Sequence, residues 1–144
     1  MRIAEVLRLK GKEVATIHSF DKVVEAVRKL DAARIGALVV TDRWGKLVGM
    51  FSERDMVHAL AAHGGSALDY EVHELMTPEV TTCSAEDRIE QIMSVMTAHR
   101  IRHLPVMAEG HITGIVSMGD LVKHRLDEKE QEANVLRDIT RALA

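Results

Sequence analysis

From Asp21 to Arg34 the apolar residues Val23, Ala26, Val27 and Leu30 recur at intervals of three and four. From Asp87 to Arg100 the residues Ile89, Ile92, Met93 and Met96 do the same. That spacing gathers four apolar side chains on one face of a helix and predicts two amphipathic helices with a buried stripe. Asp87-Arg88-Ile89-Glu90 also fits an N-terminal capping box, whereas Asp21 has no acidic partner three residues on. Met93 and Met96 read as core positions, because aliphatic residues fill the matching places in the first helix. After each helix the period changes. Ala37-Leu38-Val39-Val40-Thr41 and Leu104-Pro105-Val106-Met107 are short apolar runs. Each passes through a turn with Gly45 or Gly110 into Leu47-Val48-Gly49-Met50-Phe51 or Ile112-Thr113-Gly114-Ile115-Val116, the pattern of a β-hairpin. Pro105 has no N–H to give a ladder, which places its strand at an edge or turns that position away from pairing. A further helix is expected after each hairpin, beginning near Ser52 or Ser117.

These elements are the same unit written twice. Val14-Ala15-Thr16 returns as Val80-Thr81-Thr82, Ala33-Arg34-Ile35 as His99-Arg100-Ile101, and Gly49 to Asp55 as Gly114 to Asp120. The offset is 66 up to Arg43 and 65 from Gly45 on, so one residue is lost at the second hairpin tip, after Met107. Units of about 45 residues are marginal alone, so two halves sharing their burial are expected, with any ligand site occurring twice. A duplicated site suits a sensor better than a single catalytic constellation. Ile3-Ala4-Glu5-Val6-Leu7 resembles Val72-His73-Glu74-Leu75-Met76, which places a short helical lead-in before each repeat, the second ended by Pro78. Ala62-His63-Gly64-Gly65-Ser66 reads as the linker. The division expected is 1–65 for the first repeat with its lead-in, 66–126 for the second with linker and lead-in, and 127–144 for a helical extension. After Asp120 a long helix reaches to about Arg141, with an imperfect stripe of Leu126, Ala133, Leu136, Ile139 and Leu143. It either packs on its own module or serves subunit association, and its stripe is too irregular for a coiled coil.

Composition narrows the function. The 144 residues carry 19 Lys and Arg against 22 Asp and Glu, with no basic block, so a nucleic-acid partner finds no concentrated positive surface. Trp44, Tyr70, Phe20 and Phe51 are the whole aromatic complement, too few for a base-stacking platform. No apolar run approaches the roughly 18 to 20 residues that span a bilayer, so no membrane partner is expected. The first seven residues lack a signal peptide's hydrophobic centre, and a cytoplasmic location is expected. Cys83, the single cysteine, excludes an internal disulfide and reads as a buried thiol. The eight histidines show no metal-ligand spacing, so neither a metal site nor an enzyme is expected.

The sharpest local chemistry is the repeated Gly-x-x-Ser-x-x-Asp. Ser52 and Ser117 stand where a strand gives way to a helix, and the first free amides of a helix favour an anion or a ligand oxygen. Asp55 and Asp120, one turn along, are placed to accept from paired hydroxyls such as those of a ribose. The same spacing also serves a plain capping arrangement, and the residues alone leave both readings open. Arg100, Arg102 and His103 bring two permanent cations and one titratable group to the start of a hairpin, either to meet phosphate oxygens or as a solvated rim. Arg34 and Arg100 also fit the helix-terminal cations that the dipole favours. The first half follows Arg34 with Gly36 and Ala37, while Met118-Gly119 replaces Glu53-Arg54 in the second, so the two sites should differ.

From Ile3 to Leu126 the chain resembles stand-alone proteins built from two cystathionine-β-synthase-type repeats, the CBS domain pairs. The likeness rests on Gly49 to Asp55, Gly114 to Asp120, Glu74-Leu75-Met76-Thr77 and Arg100-Ile101-Arg102-His103-Leu104-Pro105-Val106. The resemblance implies an α/β fold of tandem β-α-β-β-α units forming one pseudo-two-fold module, followed here by the C-terminal helical extension. It implies two clefts between the repeats that take adenine nucleotides (AMP, ADP, ATP) or a related adenosyl ligand, and pairing into a disc-like homodimer. By matching position, Asp55 and Asp120 would meet ribose, and Ser52 and Ser117 ribose or phosphate. Thr16 and Thr82 would lie near the base or sugar, and Ile35 and Ile101 would flank the base. Arg102 and His103 would approach phosphate, with Arg54 helping the first half. The expected function is a non-catalytic regulatory sensor that requires no cofactor and acts through the dimer or an effector protein. The alternative is a structural or interaction module without a nucleotide.

Overall fold

The order of helix, hairpin and helix appears twice in the computed structural model, which describes residues 1–143, and a leading strand precedes it in the first copy. Helix α1 (Ile3–Lys10) precedes β1 (Thr16–His18), α2 (Val23–Ala33), the hairpin β2 (Ala37–Thr41) and β3 (Leu47–Ser52), and α3 (Glu53–His63). The Gly64–Asp69 segment is a 3₁₀ helix that joins α3 to α4 (Val72–Leu75), so the expected linker is ordered structure. Helix α5 (Ile89–His99), the hairpin β4 (His103–Ala108) and β5 (His111–Ser117), and α6 (Met118–Leu143) complete the second copy.

The copies differ in their first strand, and Pro105 explains how. In the first repeat β1 runs parallel to β2, and the Val39 amide donates to the Ala15 carbonyl at 3.1 Å. The equivalent donor in the second repeat would be the amide of residue 105, which proline lacks. The parallel contact there shrinks to one bridge, Cys83 to Val106, held by Cys83 N to Pro105 O at 3.0 Å and Met107 N to Cys83 O at 2.8 Å. Proline thus sits inside β4, facing the side where its missing N–H is tolerated. The hairpin tips differ too. The second closes on Glu109 and Gly110, both with positive φ (50° and 79°), as a two-residue turn requires. The first carries one residue more and has a left-handed backbone only at Gly45.

The capping box expected at Asp87 does not form. Arg88 is the residue before α5, without a side-chain cap, and the Asp87 carboxylate accepts from the Ser84 amide at 2.8 Å. Asp21 does the same for the His18 amide at 3.2 Å, so both copies use the aspartate to brace the turn ahead of the helix.

Three apolar clusters hold the molecule. One belongs to the first repeat (Ile17, Val23, Leu38, Phe51 among others) and one to the second (Ile89, Met96, Leu104, Val116, Leu121). The third joins Ala37, Val39 and Met50 to Val80, Ile112 and Ile115, with Val14 and Leu47 at its border. It contains the matched pairs Val14/Val80, Leu47/Ile112 and Met50/Ile115, which is the pseudo-two-fold contact. The lead-in helices cross over. Ile3, Val6 and Leu7 of α1 are buried in the second repeat's core, and Val72 of α4 in the first's. Backbone bonds fix the exchange: Ile3 N to Asp87 O and Val72 N to Asp21 O, at 2.9 and 2.8 Å. Each lead-in, read from the sequence as part of the repeat it precedes, completes the other one. Leu7 packs on Gly114 and Met76 on Gly49, where a larger residue leaves no room.

Cys83 is buried, and burial first, then the charge of Asp87, pushes its thiol up to about 12, so it is an inert core residue. Helix α6 packs on its module only through its first turns, where Leu121 and His124 are buried, Arg125 meets Glu90 at 2.9 Å and Glu128 binds the N-terminal ammonium at 3.1 Å. Beyond that Leu136, Ile139 and Leu143 are exposed. Ala144, the last residue of the expected extension, lies outside the described residues. Among the described residues no helix is long and apolar enough to cross a membrane.

Candidate functional site

Each Gly-x-x-Ser-x-x-Asp builds the same corner. Ser52 Oγ accepts from the Asp55 amide at 3.3 Å, and Asp55 Oδ2 accepts from the Ser52 amide at 2.8 Å. Ser117 and Asp120 repeat the exchange at 3.1 and 2.9 Å. The capping arrangement is therefore present in both copies. The helix amides expected to be free are partly used: Glu53 N donates to Gly36 O at 3.0 Å and Met118 N to Arg102 O at 2.8 Å. What distinguishes the copies is the partner of each aspartate. Asp55 Oδ1 accepts from Thr77 Oγ at 2.8 Å, and Thr77 is held in place by paired backbone bonds with Met50, both 2.9 Å. Asp120 Oδ2 instead meets the Lys10 ammonium at 2.5 Å. Burial works to raise Asp120, but the Lys10 hydrogen bond, the Ser117 amide and the Lys10 charge together outweigh it and hold the carboxyl below its usual range.

A cleft of about 630 Å³ opens between the repeats on the Asp55 side. Of the residues the sequence singled out, Ile35, Ser52, Arg54, Asp55, Ile101, Arg102, His103 and Ser117 line it. Thr16, Thr82 and Asp120 do not. Thr16 is exposed on β1, where its carbonyl accepts from Lys29 at 2.8 Å, and Thr82 is exposed while Thr81 and Val80 line the wall in its place. The sequence reading missed Thr77 and Glu79, which flank Pro78. Nothing in the periodicity marks them, since only the bridge from Thr77 to Met50 across the crossed lead-in brings them to the cleft.

The electrostatics are set by arginine. Arg34, Arg54, Arg100 and Arg102 line the cleft together with the carboxylates of Glu53, Asp55 and Glu79. Arg34 and Arg100 end α2 and α5 in the left-handed conformation, φ 53° and 54°, and turn the chain from each helix into the wall. Arg54 reaches across the repeats to donate to the Arg100 carbonyl at 2.9 Å. Gly36, which the sequence shows as a lost basic position, makes room for the other repeat: a Cβ there would stand 3.1 Å from the His103 ring. Burial first, then the positive charges of Lys10 and Arg102, push His103 below its ordinary 6.5, against the opposing pull of Asp120 and Glu53. The imidazole is thus mainly neutral at pH 7, and the permanent cations of the cleft are guanidinium groups. Such a site suits a polar ligand with hydroxyls for Asp55 and anionic oxygens for the arginines. Glu71, His73 and Glu74, the described side chains grouped closely enough for a metal, lie outside the cleft.

This is the architecture of a tandem α/β module, two half-units closed on each other with a polar pocket at their seam. The chain belongs to the CBS domain family, whose model matches residues 5–62 and 72–127, one match per repeat. It is 32% identical over 138 residues to the mitochondrial CBS domain-containing protein CBSX3 of Arabidopsis thaliana, covering 90% of this chain and 67% of that protein. Among solved structures, the CBS-domain protein ATU1752 of Agrobacterium tumefaciens is 40% identical, with 86% of this chain and 92% of that one covered and a TM-score of 0.84. The CBS domain pair of protein MJ0100, solved in complex with 5′-methylthioadenosine and S-adenosyl-L-methionine, is 26% identical, covers 89% and 98% of the two chains and has a TM-score of 0.79.

Proposed function

We propose that the chain is a non-catalytic regulatory sensor that binds an adenine nucleotide in the cleft beside Asp55. The observation that carries this reading is the meeting, in one inter-repeat cleft, of a carboxylate at a capped helix start with four arginines. Asp55 accepts the ribose hydroxyls, Ile35 and Ile101 flank the base, and Arg54, Arg102 and the flanking guanidiniums take the phosphates. The adenosyl ligands of the MJ0100 domain pair support the nucleoside half of this assignment. The arginines favour a phosphorylated ligand over an uncharged thioether nucleoside. A ligand bridging both repeats biases their packing only through unequal affinity for two arrangements, and that bias is the signal passed to a partner. The binding module ends near Leu126, and it acts in the cytoplasm with no required cofactor.

Calorimetric titration with AMP, ADP and ATP tests the assignment. Asp55→Asn keeps a capping oxygen but removes the charge, and should weaken binding by about tenfold or more, the worth of a hydrogen bond to a charged group. Unchanged affinity in that variant would reject the site. A second reading, an interaction module, is favoured by one observation: Leu126, Leu136, Ile139 and Leu143 project from α6 without cover. In that reading α6 joins two copies or an effector, and no nucleotide produces heat.

A further inference from the structure

The repeats are matched at offset 65 around their aspartates, so Ile115 corresponds to Met50 and Asp120 to Asp55. In the first copy Thr77 satisfies both acceptors, its amide bonding the Met50 carbonyl and its hydroxyl the Asp55 carboxylate. In the second copy one lysine reaches the same two places. Lys10 Nζ donates to the Ile115 carbonyl at 2.9 Å and to Asp120 at 2.5 Å. The cause lies in chain length. The lead-ins match at offset 69 and the first strands at 66, so the first connection is three residues longer, and α1 runs on to carry Lys10 over the corner. A neutral hydroxyl leaves Asp55 its charge for the cleft, whereas an ammonium in contact neutralises Asp120. The Asp55 cleft takes part of its wall from Thr77, Glu79, Val80 and Thr81.

We infer that Lys10 is the residue that sets ligand stoichiometry, an internal cation that occupies the second copy of the site and leaves one nucleotide per chain. The inference rests on the nucleotide reading of the Asp55 cleft. A sugar hydroxyl arriving at Asp120 competes with a charged donor already in place, while at Asp55 it adds to a neutral one. Lys10→Met keeps the packing of the stem and removes the charge. Lys10→Gln does so with a polar tip, so that misfolding of one variant does not decide the outcome, and Lys10→Arg retains a cation.

The experiment is calorimetric stoichiometry with AMP, ADP and ATP on the full chain. One molecule per wild-type chain, two per Lys10→Met or Lys10→Gln chain and one per Lys10→Arg chain is the expected result. The gained site should vanish when Asp120→Asn is added. Two molecules on the wild type, or one on every variant, overturns the role of Lys10 and leaves the Asp55 reading standing. No binding to the wild type with one molecule on Lys10→Met keeps the role of Lys10 and rejects the Asp55 reading. No binding anywhere rejects both.

Discussion

Gly49→Ala should cost the protein both stability and ligand affinity, and the two losses share one cause. A Cβ at position 49 would stand 2.5 Å from Met76 Sδ and 2.9 Å from the Thr77 carbonyl oxygen. The methionine can move, but the carbonyl belongs to the backbone pair that ties Thr77 to Met50 at 2.9 Å. Overpacking of this kind costs about 1–3 kcal/mol. Reduced freedom of the unfolded chain returns about 0.4–1 kcal/mol. The midpoints of these ranges leave a net loss of about 1.3 kcal/mol, or a fall in melting temperature of about 3–6 °C for a chain of this size. Because Thr77 orients Asp55, adenine-nucleotide affinity should fall as well. Gly114→Ala is the matched control: its Cβ would meet Leu7 Cδ2 at 2.6 Å, a side chain and no backbone, so a smaller loss is expected, without loss at the Asp55 cleft. Thermal unfolding with and without nucleotide measures both. A Gly49→Ala protein that melts at or above wild type, or a larger loss in Gly114→Ala, would refute the claim that the Thr77 backbone fixes this corner.

His103, held below its ordinary 6.5 by burial and by Lys10 and Arg102, binds protons less readily in the fold than in the unfolded chain. Its contribution is complete above 6.5 and is lost as the pH falls toward the folded value, so denaturant stability should drop with acid in that window. His103→Asn should flatten the drop, and an unchanged slope would remove His103 as its source. Ending the chain after Glu128 keeps the bond to the N-terminus and removes helix that is exposed apart from Ala133. Unfolding of dilute protein should then stay within about 0.5 kcal/mol of the full chain. A larger, concentration-dependent loss would show that α6 is covered by another copy. Pro105→Val supplies the amide that the Thr81 carbonyl lacks, by analogy with Val39 and Ala15. A hydrogen bond worth about 1 kcal/mol is offset by the lost rigidity of proline, so stability should change little. The new amide should nevertheless exchange as slowly as that of Val39, and rapid exchange would show that the strand does not extend.

The half-unit was legible because its signals are local. The spacing of three and four at Val23, Ala26 and Leu30 buries one face as a helix, and the short apolar run Leu47–Phe51 after the Gly45 turn reads as a strand returning from it. The serine and aspartate of each corner were legible for the same reason, since a cap is a contact between residues three apart. Thr77 and Lys10 were not. Their positions depend on which core a lead-in helix enters, and Leu7 or Met76 fits either apolar face by composition alone. The glycines they meet, Gly114 and Gly49, are counterparts, so each repeat offers a lead-in the same seat and the sequence does not tell the two apart. Thr82 failed together with its counterpart Thr16: both are exposed outside the cleft, and Val80 and Thr81 form its wall.

The asymmetry of the two sites therefore follows from what a packed duplication leaves free to change. The matched residues Val14 and Val80, and Met50 and Ile115, share one apolar cluster at the seam. A change of volume in one is felt by both repeats. Connections carry no such constraint. Three extra residues between lead-in and strand lengthen α1 by nearly a turn without touching the core, and that length alone brings an ammonium to Asp120 where the other copy presents the hydroxyl of Thr77 to Asp55. Two corners that share glycine, serine and aspartate thus give the aspartate different partners. Those partners come from segments outside either Gly-x-x-Ser-x-x-Asp, so substituting Lys10 tests their effect without disturbing the motif that makes the corners alike.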